Sequence, residues 1–182
     1  MELILEELQK IAQEIRSSTL GFQKRKPGKQ YLFVNSSRCQ GYLWYFLTPD
    51  GEPSGVDYPA IKGYVENLEF ISTQRRNKET SKLRITLNCG EAEYILETGA
   101  QTQFCKGILA AIAALTPAEL MEPLTIAPSA GESENVIFAN VYRRGKPVFA
   151  PYNDEAGSDR SVTDWRAIAI KAIENVRKVN GD

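Results

Sequence analysis

The stretch Lys82–Glu97, KLRITLNCGEAEYILE, is two runs of alternating residues around a Cys-Gly pair. Alternation of apolar and polar residues at period two is the mark of a half-buried strand. With the turn at Cys89-Gly90, Leu87 faces Ala92, Ile85 faces Tyr94 and Leu83 faces Leu96 on one side. Asn88 then faces Glu91, Thr86 faces Glu93, Arg84 faces Ile95 and Lys82 faces Glu97 on the other. One apolar face and one polar face is what an antiparallel pair over a core requires. A slip of one residue would turn the apolar set outward, so the pairing predicts its own register. The chain is therefore expected to be built around a sheet.

Working outward, Ile61–Arg76 reads as a long strand with a bend near Gly63. On the other side, Thr102 can cap a helix from Gln103 to Leu115, whose apolar residues are Phe104, Ile108, Leu109, Ile112 and Leu115. Thr116-Pro117 opens a short helical turn to Met121, because proline is well placed in a first helical turn. Strands are expected at 123–127 and 135–143, and Arg144-Gly145 turns the latter into a strand at 146–150. Nearer the N-terminus, Tyr31–Val34 and Gly41–Leu47 read as an aromatic hairpin, and Thr48–Pro59, with three prolines and two glycines, as a loop. Amphipathic helices are expected at 2–17 and, capped by Ser161 with Asp164 in the first turn, around Trp165, Ile168, Ala172 and Val176.

From 61 to about 143 the order is strand, strand, strand, helix, strand, strand. That order resembles the OB-fold of single-stranded-DNA-binding proteins, over about half the chain. The resemblance implies a mainly β, α+β chain with a five-stranded barrel at 60–150. Residues 1–59 would extend it with the helix, a basic loop and the hairpin, and 151–182 with a loop and helix. It also implies a ligand lying across the second and third strands and in the loops after the first and fourth. The chain departs from the family where Glu132 and Glu134 enter the loop after the fourth strand. A second departure is the ending Lys178-Val179-Asn180-Gly181-Asp182, which is no long acidic tip.

Charge is segregated although the net is only −1. Lys24, Arg25, Lys26, Lys29 and Arg38 stand in a stretch with no acid, and Arg75, Arg76, Lys78, Lys82 and Arg84 surround Glu79 alone. Arg143, Arg144 and Lys146 form a third basic group. Phosphates of a single strand need such cations, and its bases need rings to stack on. The expected nucleic-acid-binding residues are Arg75, Arg76, Lys78, Lys82, Arg84, Tyr142, Arg143, Arg144 and Trp44. Each has a plainer reading. The 74–78 loop and the Arg144-Gly145 turn are solvated turns, Lys82 and Arg84 pair with Glu97 and Glu93, and Tyr31, Phe33, Tyr42, Trp44, Tyr45 and Phe46 form a second core. The run from Gly41 to Phe46 holds more rings than one face can bury.

The chain has no histidine, which removes the usual general base and the commonest metal ligand. No P-loop, dinucleotide loop, nucleophile elbow or metal-ligand spacing is present. Asp154, Glu155 and Asp159 cluster in a loop and carry oxygen ligands that suit a divalent cation, although loop acids are more often solvated. The reading is a binding protein, not an enzyme, with no cofactor. Cys39, Cys89 and Cys105 are odd in number and widely spaced, which suits a reducing compartment. The acidic start MELILEELQK is not a secretory leader, and no apolar run is long enough for a membrane span, so a cytoplasmic location is expected. The alternative function is a protein-interaction module forming a homo-oligomer through the hairpin 31–47 or the terminal helices.

Overall fold

The computed structural model describes residues 28–75, 77–150 and 164–181, Arg75 by its backbone only. The expected helix at 2–17, Arg76, Ser161 and the acids Asp154, Glu155 and Asp159 lie outside the described residues. The elements are β1 (Lys29–Val34), β2 (Trp44–Leu47), β3 (Pro53–Gly55), β4 (Ile61–Arg75), β5 (Lys78–Asn88) and β6 (Glu93–Gly99). They continue with α1 (Gln103–Ala114), α2 (Pro117–Leu120), β7 (Leu124–Ala130), β8 (Ile137–Arg143), β9 (Lys146–Pro147) and α3 (Trp165–Asn180). The α+β, mainly β character expected from the sequence is what forms.

The expected closed five-stranded barrel does not form. The described strands make one open nine-stranded sheet in the order β3-β2-β1-β6-β5-β4-β7-β8-β9. Closure would need β8 to reach the free edge of β6. That edge is taken by β1, which runs parallel to β6 from Lys29 opposite Glu93 to Phe33 opposite Glu97. The aromatic hairpin is thus not an appendage. Its first strand occupies the slot through which the barrel would have shut.

The β5–β6 hairpin has the predicted faces but not the predicted register. Asn88 lies opposite Glu93, Ile85 opposite Leu96 and Arg84 opposite Glu97, an offset of two residues. The turn is wider than a Cys-Gly pair because Cys89 N–H donates to the carbonyl of Ala92 at 3.0 Å. The Asn88 side chain also accepts from Gly90 N–H at 2.9 Å. An even offset leaves every side chain on its original face, so alternation alone cannot detect it.

Leu83, Ile85, Leu87 and Leu96 are fully buried against Phe104, Ile108 and Ile112 of α1. Thr102 caps that helix as predicted, accepting from Cys105 N–H at 3.1 Å. Gly107 lets α1 lie close to β8, since a Cβ there would sit 3.1 Å from the carbonyl oxygen of Ala139. Helix α3 buries Ala172 and Val176, and its Asn175 amide donates to the carbonyls of Leu115 (2.9 Å) and Ile112 (3.4 Å) at the end of α1. Asp164, expected inside the first turn of α3, is its N-cap, accepting from Ala167 N–H at 3.1 Å. No cysteine is disulfide-bonded, and burial pushes the Cys105 thiol up to about 12, which makes it an inert core residue.

Other boundaries moved for local reasons. Strand β4 has its irregularity at Val65–Asn67 and not at Gly63. Gly63 is instead required by packing, because a Cβ would meet the carbonyl oxygen of Asn88 at 2.8 Å. Strand β2 begins at Trp44, later than the expected Gly41. Part of the 48–59 loop pairs with it as β3, through Tyr45 opposite Gly55. Strand β9 stops at Pro147, short of the expected Ala150. No helix among the described residues is long and apolar enough to cross a membrane.

Candidate nucleic-acid interface

The sheet has a dry face under α1 and a polar face turned away from it. Register fixes the membership of the polar face. Tyr45 is opposite Phe33, Tyr31 is opposite Ile95, Ile95 is opposite Thr86, and Phe33 and Arg84 are both opposite Glu97. Tyr31 and Phe33 face this side because β1 alternates, with Leu32 between them buried in the core. Their ring centroids are 6.4 Å apart, and Phe33 lies 5.4 Å from Tyr45, each pair inclined by 21°. Tyr45 is buried, Phe33 half-buried and Tyr31 exposed, so the row opens toward Tyr31.

At that open end the guanidinium of Arg84 lies over the Tyr31 ring, 5.3 Å from its centroid. A cation over a ring face is favourable by about 0.5–2 kcal/mol, depending on desolvation. Arg84 Nε also donates to Glu97 Oε2 at 3.0 Å, and Lys82 Nζ donates to the other carboxylate oxygen, Oε1. Glu97 is only 5% exposed, whereas Lys82 and Arg84 are 33% and 27% exposed. Two cations therefore share one carboxylate, and each keeps a side toward water. Lys29 bonds Glu93 at 3.0 Å, and that hydrogen bond raises its pKa. Exposed Glu69, opposite Arg84 on β4, brings the whole face close to neutral.

Beyond Lys82, the last β5 residue paired to β6, β4 and β5 continue as a two-stranded arm. Thr73 and Thr80 hydroxyls bond at 3.0 Å across it, and Ser72 donates to Glu79 at 2.5 Å. Asn77 turns the tip with a positive φ of 61°, a conformation asparagine tolerates. Lys78 is exposed there. Arg75 sits opposite it in register.

The third basic group has a different setting. Arg143 donates to Glu119 at 2.9 Å and to Glu122 at 3.4 Å. Arg144 grips Glu122 with two bonds of 2.7 and 2.5 Å. Glu119 is held low first by the backbone hydrogen bond of Thr116, with which it forms a capping box, and Glu122 first by its bond from Arg144. The same bond raises Arg144. The two arginines are thus spent on fixing the β8–β9 turn to α2. Tyr142 is half-buried and lines a cavity of about 240 Å³ between α1 and the β8–β9 strands, with Gly107, Ala111 and Phe149.

The structure places Arg84 over Tyr31, with Lys82 joined to it through Glu97, and puts Trp44 on the other face of the sheet. Trp44 is 2% exposed and its indole N–H donates to the carbonyl of Tyr58 at 3.0 Å. Its place on the dry face follows from β2 alternation, which sends Trp44 inward and Tyr45 to the polar side. The expected Lys82–Glu97 pair forms, while Arg84, expected near Glu93, joins Glu97 because of the two-residue offset. Tyr31 and Phe33 are the rings the face offers, and the signal for them was the alternation of Tyr31-Leu32-Phe33-Val34. No family model, curated protein or solved structure matches the chain.

Proposed function

We propose that this chain is a non-catalytic cytoplasmic protein that binds single-stranded nucleic acid, DNA in preference to RNA, with little sequence preference. The strand runs along the polar face of the sheet. The observation that carries the reading is Arg84 lying over Tyr31 at the open end of the ring row, with Lys82 beside it. Rings with adjacent cations suit a single strand, because every base has a π face and every nucleotide a phosphate. Lys78, exposed at the tip of the arm, supplies a second basic point. Since the face is nearly neutral, stacking carries more of the affinity than charge does.

The experiment is anisotropy of a labelled oligo-dT with the full chain at low and high salt. Saturable binding with a shallow salt slope is expected, because the slope for a single strand is about −0.7 per phosphate neutralised and few cations are free. Absence of binding at low salt would overturn the reading in favour of a protein-interaction module.

A further inference from the structure

We propose that the outer edge of β4 is a docking surface for a second copy of this chain, joined as an antiparallel pair of β4 strands. Strand β4 has β5 along one side, but β7 accompanies the other side only from Ile61 to Gly63. The amide of Asn180 reaches that edge at the carbonyl of Val65 (3.3 Å). From Asn67 to Arg75 no strand lies beside it among the described residues.

Native proteins blunt strand edges, because unpaired backbone groups recruit other chains. The two terminal edges of this sheet follow the rule. β3 is three residues long and begins with Pro53, and β9 is two residues long and ends with Pro147. The β4 edge is long and free of proline, and Phe70 on it is 40% exposed.

The charge order of the strand selects the occupant. Glu66 and Glu69 precede, and Arg75 follows. An antiparallel second copy centred on Ser72 sets Glu69 of each chain opposite Arg75 of the other. It also sets Phe70 opposite Gln74 and Ile71 opposite Thr73. The irregularity at Val65–Asn67 lies before this stretch, so Glu69 and Arg75, six residues apart, share one face. A two-fold pairing meets like with like on each face, as an isologous interface must. This surface differs from the hairpin 31–47, whose β1 is already paired on both sides.

The test is mass by light scattering and sedimentation of the full chain over a wide concentration range, with hydrogen exchange of 67–75. A dimer whose 67–75 amides slow as it forms is expected. Glu69→Arg, or Arg75→Glu from the other side, should raise its dissociation constant about tenfold or more, since opposed like charges replace opposed unlike ones. The double variant Glu69→Arg/Arg75→Glu should restore it. A monomer at every concentration, including one with 67–75 permanently protected by its own chain, would overturn the proposal. A dimer indifferent to the single changes, or not restored by the double change, would do the same.

Discussion

Two pairs of neighbouring cations in this molecule have the same chemistry and opposite standing. Lys82 and Arg84 on β5 share one nearly buried carboxylate, Glu97, so the ion-paired group of three keeps a positive charge beside a part-exposed ring, balanced across the face only by Glu69, which is opposite Arg84 in register but not bonded to it. Arg143 and Arg144 at the β8–β9 turn meet two carboxylates, Glu119 and Glu122, so that group of four is neutral. The first group has charge to offer a ligand and a ring to orient it. The second is a clasp. A basic cluster is available only to the extent that its counterions fall short.

The largest effect expected along this comparison concerns a ring and not a charge. Trp44 and Tyr31 stand on neighbouring strands but face opposite sides of the sheet. Trp44→Ala removes a core side chain and should cost about 3–5 kcal/mol in denaturant unfolding. Tyr31→Ala should cost clearly less, because the ring is 39% exposed and gives up only its contacts with Phe33 and Arg84 at the open end of the row. Equal destabilisation by the two would erase the distinction between dry and polar faces.

Next comes the shared carboxylate. Glu97→Gln keeps the shape and frees Lys82 and Arg84. Affinity for oligo-dT should rise by up to about tenfold, and the salt slope should steepen by roughly 0.7, the contribution of one more neutralised phosphate. Weaker binding, with circular dichroism unchanged, would mean that Glu97 positions the cations for the ligand and does not compete with it.

The clasp should announce itself through pH. Glu119 and Glu122 have folded pKa values depressed below the ordinary 4.5. Depressed carboxylates stabilise the fold above the unfolded value, and that contribution is lost as pH falls through the folded values. Arg144→Ala should therefore lower the thermal midpoint slightly at neutral pH and make no difference in acid, below both carboxylate pKa values. A difference that persists there would show that Arg144 acts through packing.

How much of this was legible in the sequence varies by element for physical reasons. The faces of β5 and β6, the cap at Thr102 and the helix α1 were readable, because each depends on residues a few positions apart. The register was not, since an offset of two preserves the alternation from which it was inferred. Closure of the barrel is not legible locally, because the strand that competes for the β6 edge is distant in sequence. Tyr31–Val34 looks like any short strand, and nothing in it says that it lies parallel to β6, more than sixty positions on. Trp44 was placed outside because Gly41–Phe46 is aromatic on both phases of the alternation. Arg143 and Arg144 look free in the sequence because their counterions, Glu119 in α2 and Glu122 just after it, stand 21 or more residues earlier.

The central claim is that the strand is held by the ring row and its shared-carboxylate cations, and not by the saturated turn. The most direct measurement is a side-by-side titration of one labelled oligo-dT at one salt concentration with Tyr31→Ala and with Arg143→Ala/Arg144→Ala. Loss of one stacked base, about 1–3 kcal/mol, should weaken binding to Tyr31→Ala by roughly 5- to 150-fold, while the double arginine variant stays near wild type. Full affinity in Tyr31→Ala together with loss in the arginine variant would contradict the account.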